Sequence, residues 1–445
     1  MNHRCIVPVI LLVLALVGAC AEGTDPSPST PTIAAASPAV PTAAPSPTVP
    51  TAASGMPIPA ALIQPDDLAY VGAFRLPEGP EEIGWTWSGE ALAYYPGGDA
   101  DGPADGFPGS LFGTGHNWNQ WVSEISIPVP VHSPEKDVGD LNTATTLQDF
   151  HNIRGNLFDH LDFEIPRAGL EFLPRQGDQE TDKLHFCWGQ HLQEEEQVVS
   201  HGWSELDLSA PQPAGAWFLG DYANYSTNDY LFAIPQAWAD AYTPGMLLAT
   251  GRFRDGGWGG QGPSLFAYGP WTEGNPPLPG SRLQVVPLLL YDSSQTETPS
   301  AHTMEGYHHA DEWSGGAWLT AGDRSAVIFV GTKGLGDCWY GNPDGPCLTC
   351  EDRGWWSDRF VGQILFYDPT DMAAVARGEM ETWEPQPYAR LEMDEYLYHV
   401  ESSQQKHHLG AASYVRERGL LYLFEPLADG DKPLVHVWSV GGESG

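Results

Sequence analysis

Two hydrophobic stretches near the C-terminus, residues 316–330 and 410–424, align without a gap. Each starts with Gly-Ala, passes an acidic residue followed by arginine, and continues as a run of apolar residues. Apolar segments on both sides of such a polar pair predict a β-hairpin, here with a first strand rich in small residues. A His-His pair, His308-His309 or His407-His408, precedes each hairpin.

Weaker copies of the same pattern occur upstream, which indicates an internal repeat. Two further strand pairs are predicted at 89–95 with 109–115 and at 169–174 with 183–188, and a blurred middle copy has its best strands at 264–268 and 283–291. A third strand is predicted to close four of these units, at 123–127, 204–208, 363–367 and 435–440.

Repeated antiparallel units predict an all-β fold, a β-propeller of about five blades with long loops and few short helices. Small residues on each first strand suit the crowded centre of such a ring. The clearest helix is predicted over 370–377, with Thr370 as its cap and Gly378 ending it. A pair of β-sandwiches is the alternative architecture.

The N-terminus carries a separate signal. An apolar run from Ile6 to Val17 follows Arg4, and Gly18 and Ala19 stand directly before Cys20. This order resembles a bacterial lipobox, in which the cysteine is lipidated, for example with palmitate, and the preceding segment is removed. The run is too short for the ~20 residues that span a bilayer. We therefore expect a signal peptide at 1–19 and an extracytoplasmic protein anchored to the bacterial membrane by lipid on Cys20.

Residues 24–55 consist almost entirely of Pro, Ser, Thr and Ala. Such a segment cannot bury enough apolar surface to fold, and its prolines favour extended backbone. The predicted organisation is thus a lipidated cysteine with a disordered tether at 20–56 and a propeller domain at 57–445.

Composition restricts the partners. Lys plus Arg number 20 against 58 Asp plus Glu, which gives a formal net charge of −38. A nucleic-acid binder needs clustered cations, so nucleic acid is not an expected partner. The 17 tryptophans exceed ordinary packing needs. Most are expected in the core, and the rest as platforms for sugar rings or a cell-surface protein.

Four cysteines remain beyond Cys5 and Cys20, an even number in an oxidising compartment. Cys338, Cys347 and Cys350 lie close together in the sequence, which favours at least one disulfide within this loop. A zinc site is the competing interpretation, because Cys347 and Cys350 have CxxC spacing.

The densest polar cluster spans residues 302–312 and includes His308, His309 and Asp311. Imidazole and carboxylate are metal ligands, so a divalent metal is possible, although the spacing matches no helical zinc motif and no other cofactor is expected. His407 and His408 occupy the same place in the next unit. Loops that feed central strands point at the axis, so we expect these residues to form a binding site at one shared opening.

The same clusters suggest an alternative activity. Glycoside cleavage needs two carboxyl groups across the scissile bond. Glu171 on a first strand, Glu305 and Glu401 are the candidate catalytic residues for such chemistry.

The overall pattern also resembles a group of secreted bacterial β-propeller-like lipoproteins without assigned activity. The resemblance rests mainly on residues 362–369, 371–378, 383–388 and 408–440. It implies no catalytic residue. The expected function is a recognition module for a glycan or a protein, with a glycan-directed hydrolase as the alternative.

Overall fold

The computed structural model describes residues 58–99, 106–160, 166–190, 197–255, 257, 259–293, 302–341 and 354–441. Within these ranges the chain forms five sheets of four or five strands. Two short α-helices accompany them, α1 (Gln236–Tyr242) and α2 (Pro369–Ala376). The protein is therefore all-β in the part that the structure describes.

Each sheet is one blade, and most of its strands follow one another in the chain. Blade 1 contains β3 (Leu92–Tyr95), β4 (Ser110–Thr114), β5 (Val122–Ser126) and β6 (Thr146–His151). Blade 2 contains β7 (Pro166–Leu173), β8 (Lys183–Gln190), β9 (His201–Ser204), β10 (Ala214–Leu219) and β14 (Arg282–Leu283). Blade 3 contains β11 (Leu231–Ala233), β12 (Leu248–Thr250), β13 (Leu265–Tyr268) and β15 (Val285–Leu289).

The last two blades include strands from the N-terminal part of the domain. Blade 4 contains β16 (Glu312–Ala321), β17 (Arg324–Tyr340), β18 (Trp355–Tyr367) and β19 (Ala389–Glu392), and β1 (Ala61–Leu62) pairs in parallel with the start of β17. Blade 5 contains β20 (Ala412–Val415), β21 (Leu420–Asp429), β22 (Lys432–Val440) and β2 (Leu68–Arg75). Antiparallel pairing of β2 with β22, from Leu68 opposite Val440 to Arg75 opposite Leu434, joins the two ends of the domain.

The first strands of the five blades form a closed ring. β3 contacts β7, β7 contacts β11, β11 contacts β16, β16 contacts β20, and β20 returns to β3. This arrangement is a five-bladed β-propeller, as predicted, and it excludes the alternative of paired sandwiches.

Small residues are required where the inner strands converge. A Cβ atom on Gly169 would lie 2.8 Å from the carbonyl oxygen of Asp229 in the next blade. A Cβ on Gly315 would lie 2.8 Å from the backbone nitrogen of Ala412. Both distances are too short for a real side chain, so the predicted reason for the small residues is confirmed.

The hydrophobic core lies between blades rather than at the axis. Five large clusters of buried apolar residues each join two neighbouring blades. Tryptophans fill much of this space, and the most deeply buried are Trp85, Trp217, Trp313, Trp318 and Trp438. Ten of the 16 tryptophans in the described residues are buried, which confirms the prediction that most of them serve packing.

The two aligned hairpins are equivalent elements of adjacent blades, since 316–330 falls in β16–β17 and 410–424 in β20–β21. The strand predicted at 204–208 is wrong, because β9 ends at Ser204 and residues 205–208 are not in a strand. The helix near 370–377 is present, but its cap is Asp368, whose side chain accepts a hydrogen bond from the Thr370 backbone N–H. Among the described residues, no helix has both the length and the apolar character needed to cross a membrane.

Candidate functional site

A cavity of about 540 Å³ opens at the end of the ring where the inner strands begin. Glu90 precedes β3, Arg167 is the second residue of β7, Glu312 begins β16, and His407 and Gly410 precede β20. Residues at or before the start of the inner strands of four blades therefore line one opening. Its volume lies in the range of ordinary small-molecule sites.

Arg167 connects several blades at this opening. Its Nε donates to Asp229 Oδ1 at 3.0 Å, Nη1 to Glu90 Oε1 at 3.0 Å, and Nη2 to Ser314 Oγ at 3.1 Å. Asp229 directly precedes the third inner strand, so one guanidinium contacts residues from blades 1, 3 and 4 while belonging to blade 2. The same guanidinium lies over the Phe253 ring, 3.8 Å from its centroid.

Burial controls the protonation of this network. It raises the pKa of Glu90, although Arg167 opposes the rise. It raises the pKa of Asp229 to about 7, again against Arg167. Burial also works against the positive charge of Arg167, but Asp229 and Glu90 outweigh it, and the pKa of Arg167 is raised. The arginine therefore remains charged and is fixed at the floor of the opening.

Glu312 forms a second ionic cluster at the mouth. Arg254 Nη1 donates to its Oε1 at 2.8 Å, and His407 Nδ1 lies 3.1 Å from its Oε2. Burial favours the neutral form of Glu312, but His407 and Arg254 outweigh it, so its pKa is lowered. The side chain of His407 is 54% exposed, whereas that of Glu312 is 7% exposed. A buried, ionised carboxylate thus orients an accessible imidazole.

Several non-glycine residues at this opening have strained backbone conformations. Trp87, His407 and Leu427 all line the cavity with positive φ angles of 54°, 60° and 61°. Gln120, with φ of 47°, donates a hydrogen bond to Glu90. Such conformations are costly for residues other than glycine and persist where the surroundings fix them, commonly at functional sites.

Aromatic side chains also line the cavity. Trp87 lines the cavity with 49% of its surface exposed, and Phe253 lies beneath both Arg167 and Arg254. Trp118, 58% exposed, follows the lining residue Asn117. Exposed tryptophans beside a cavity with both apolar and charged lining residues have the position expected of platform residues.

The predicted binding residues divide between the mouth and the protein interior. His407 lines the cavity, as the shared opening required. His408 is buried instead, with Nδ1 3.1 Å from Asp394 Oδ1 and its backbone N–H bonded to Thr332. Asp311 is buried in an ion pair with Lys333 at 2.8 Å.

His308 and His309 lie beside the extended ends of β17 and β18. His308 bonds to the carbonyl oxygen of Gly336 at 2.8 Å, and His309 stacks on Trp355 with centroids 4.6 Å apart. Neither lines the cavity. The two His-His pairs therefore differ in position, because the longer β16 begins at Glu312 and places Glu312 at the level that His407 occupies in blade 5.

The three candidate catalytic carboxylates do not line the cavity. Glu305 is exposed, and its backbone bonds to Gln386 and Arg390 at the outer side of blade 4. The side chain of Glu401 is 78% exposed and lies 3.8 Å from His399. Glu171 follows Arg167 by four residues along β7, toward the opposite end of the axis, where burial raises its pKa to about 8.

Cysteine and metal predictions have different outcomes. Cys338 has a free thiol, while Cys347, Cys350 and Cys20 lie outside the described residues, so the disulfide and the lipid site stay predictions. In the described ranges, no group of three or more His, Cys, Asp or Glu side chains is arranged to hold a metal ion.

Glu90, Arg167 and Asp229 were not predicted from the sequence, and Glu312 was included only within the polar cluster at 302–312. A usable signal was present, because a charged residue stands at or just before the first strand in four of the five units. Aligning the repeat units on these charged residues, rather than on the histidine pairs, would have grouped them at one end of the propeller.

These features define a five-bladed β-propeller with an axial, ligand-sized cavity. No family model matches the chain, and no curated protein sequence is significantly similar to it. Among solved structures, it is similar to the β-propeller domain of Cps50 (Swd1) from Myceliophteria thermophila, at 9% identity and a TM-score of 0.26. That match covers 84% of this chain and 99% of the other. The fold assignment rests on the strand pairing described above.

Proposed function

We propose that the protein is a lipid-anchored, extracytoplasmic recognition module that binds a glycan in its axial cavity. The observation that carries this proposal is the exposed ring of Trp87 at the rim of a cavity of about 540 Å³. Sugar rings present C–H faces that pack on aromatic rings, while their hydroxyls need charged or polar partners. The cavity offers both kinds of group.

A concave site favours a glycan over a protein partner. Standard protein interfaces bury about 800 Å² on each partner, over a broad surface. The cavity instead concentrates its polar groups in a volume suited to one or a few sugar units. The fixed network around Arg167 keeps these groups in place before binding, which reduces the entropic cost of association.

Anchoring is a separate part of the proposal and rests on the order of residues around Cys20 and on the tether that follows. A Cys20→Ser chain expressed in a bacterial host should move from the membrane fraction to a soluble fraction. It should also lose incorporation of labelled palmitate. Equal membrane association and equal labelling of both chains would contradict lipidation at Cys20.

Binding of the purified chain to a glycan array tests the recognition function. Trp87→Ala should weaken binding by about tenfold, the value of one aromatic contact of about 1–1.5 kcal/mol. Tyr340→Ala removes an exposed aromatic side chain outside the cavity and should leave binding unchanged. Absence of glycan binding, or equal effects of the two substitutions, would contradict the proposal.

The pair formed by His407 and Glu312 favours a second candidate function, hydrolysis of the bound glycan. A carboxylate that orients an exposed imidazole is a common arrangement for general base catalysis. Glu90 and Glu312 both line the cavity and are the candidate pair of carboxylates for glycoside cleavage. Incubation of the bound glycan with the protein distinguishes the two functions. Products that disappear with Glu312→Gln, in a folded chain, support hydrolysis, and an intact ligand supports recognition alone.

A further inference from the structure

We infer that the ligand of the axial cavity is a chain of linked sugars, one end of which enters the cavity while units outside it pack on Trp118. This inference rests on the proposed glycan-binding function and specifies the length of the ligand and its path over the rim. The observations that carry it are a second exposed tryptophan at the rim and the fixed loops that hold both tryptophans.

Two tryptophans at the rim are exposed, although the protein buries most of the others. Trp87 is 49% exposed and Trp118 is 58% exposed, and every other tryptophan in the described part of the chain is buried or half-buried. A single exposed apolar side chain is common on a protein surface. Two exposed tryptophans beside one cavity instead indicate a binding surface.

The two tryptophans are neighbours in space. Trp87 lies in the loop before β3, and Trp118 lies in the loop between β4 and β5. The Asn117 N–H donates to the carbonyl oxygen of Trp87 at 3.1 Å. Because Asn117 and Trp118 are consecutive, standard backbone dimensions place the Cα atoms of the two tryptophans within about 11 Å of each other. A glycan that packs on Trp87 therefore needs only a few further units to reach Trp118.

The loop that carries Trp118 is fixed from two sides. The His116 N–H donates to the carbonyl oxygen of Gly84, in the loop before β3, at 2.6 Å. From the side of β6, Arg154 Nη2 donates to the carbonyl oxygen of Asn119 at 2.8 Å. A loop that is fixed before binding loses little conformational entropy when the ligand arrives, which favours its use as a binding surface.

Trp87 is fixed as well. Its backbone N–H donates to the carbonyl oxygen of Asp431 at 2.7 Å, and its φ angle is 54°. The protein thus stabilises a strained backbone conformation at a residue whose large apolar ring is half exposed to water. Such strain persists where the surroundings fix it, commonly at a ligand site.

Asn117, which joins the two loops, has an acceptor that the protein does not use. Its Oδ1 is buried and makes no hydrogen bond within the described ranges, and the residue lines the cavity. A buried acceptor without a donor is unfavourable. A hydroxyl group of a ligand that spans Trp87 and Trp118 can supply the missing donor.

A chain of sugars uses both tryptophans, whereas a single sugar does not. Each unit of a glycan presents an apolar C–H face, so successive units of one chain can pack on different aromatic side chains. A monosaccharide in the cavity of about 540 Å³ would contact Trp87 and leave the exposed face of Trp118 in water. The position of Trp118 outside the cavity therefore selects for length.

Titration calorimetry with cello-, chito- and malto-oligosaccharides, from the monosaccharide to the hexasaccharide, tests the inference. The hexasaccharide of a bound series should bind at least about tenfold more tightly than the disaccharide, the value of one further aromatic contact. Trp118→Ala and Trp118→Gln should each reduce this ratio about tenfold, and Trp118→Phe, which keeps an aromatic face, should retain most of it. Trp87→Ala should weaken the binding of short and long sugars alike. Tyr340→Ala, at an exposed aromatic residue outside the cavity, should change neither the affinities nor the ratio.

The outcomes separate this inference from the proposed function. Equal affinity for the disaccharide and the hexasaccharide overturns the inference and leaves glycan recognition in place. A preference for length that survives Trp118→Ala and Trp118→Gln overturns it too. The inference also fails if none of the three series binds. Array binding to other glycans would then still support the proposed function, whereas no binding to any glycan would end both.

Discussion

His407 of blade 5 and Glu312 of blade 4 meet at the mouth of the axial cavity, with Nδ1 and Oε2 3.1 Å apart. The contact joins the first residue of β16 to the loop before β20, which are separated by most of blade 4 in the sequence. It fixes an exposed imidazole through a buried carboxylate, and Arg254 holds that carboxylate from the other side. The mouth is therefore a preorganised surface rather than a set of independent side chains.

Glu312→Gln should lower the free energy of unfolding at pH 7 by about 2–3 kcal/mol, because it weakens hydrogen bonds between charged groups. The pKa of Glu312 is lowered in the folded protein. Its contribution is therefore present above the unfolded value near 4.5 and is lost as pH falls through the folded value. Urea unfolding at pH 7 and from pH 5 to 3 measures both effects. A variant whose deficit stays constant across this range would contradict the assignment.

Arg167→Met should destabilise the protein by about 3–5 kcal/mol, because it leaves Asp229 and Glu90 buried without their cation. Adding Asp229→Asn to the same chain should recover part of the loss, since one uncompensated carboxylate is then removed. Thermal and urea unfolding of the single and double variants measure this coupling. Arg377→Met, at an exposed position on the end of α2, is the control and should change stability little. Strict additivity of the two substitutions would show that Arg167 and Asp229 do not act as a pair.

The repeat could be predicted from the sequence because each blade repeats the same local pattern. The acid–arginine pairs mark hairpin turns without tertiary information, and the small residues before them, such as Gly169 and Gly315, recur because every inner strand packs against its neighbour in the same way. The site was harder to predict. Arg167 acts through Asp229, which is far away in the sequence. His308 and His407 look alike, although His308 stands eight residues before the Gly-Ala of its hairpin and His407 only three. Assigning them requires the register between blades, which hydrophobic pattern alone does not supply.

Glu171 should make stability depend on pH near neutrality. Burial raises its pKa to about 8, against about 4.5 for an unfolded chain. The folded protein thus retains a proton that the unfolded chain loses, so stability falls as pH rises from about 4.5 to about 8. Glu171→Gln should remove this slope and be the more stable chain at pH 8.

Urea midpoints of both chains at pH 5, 6.5 and 8 test this expectation, with the exposed Glu401→Gln as a control that should match the parent. A Glu171→Gln chain that is less stable than the parent at pH 8 would mean that the carboxylate is ionised there. Arg416, which lowers the pKa of Glu171, would then be its stabilising partner.

A largely buried polar chain links β2 to β21 and β22, where the ring of blades closes. Tyr70 Oη lies 3.0 Å from His436 Nδ1, and His436 Nε2 lies 2.7 Å from Glu425 Oε2. In the tautomer with the ring proton on Nε2, His436 donates to Glu425 Oε2 and its Nδ1 accepts from the Tyr70 hydroxyl. Glu425 also accepts from the backbone N–H groups of Tyr398 and His399, at 2.9 and 2.6 Å.

Glu425→Ala should therefore cost about 2–4 kcal/mol, because it leaves several buried donors without an acceptor. Tyr70→Phe keeps the ring packed against Trp438 and should cost only about 1 kcal/mol. Since Glu425 acts at the seam where the N-terminal strand completes blade 5, amide exchange in β2 should accelerate more than exchange in β8 of blade 2. Uniform acceleration in both strands would show that Glu425 supports the whole domain rather than its closure.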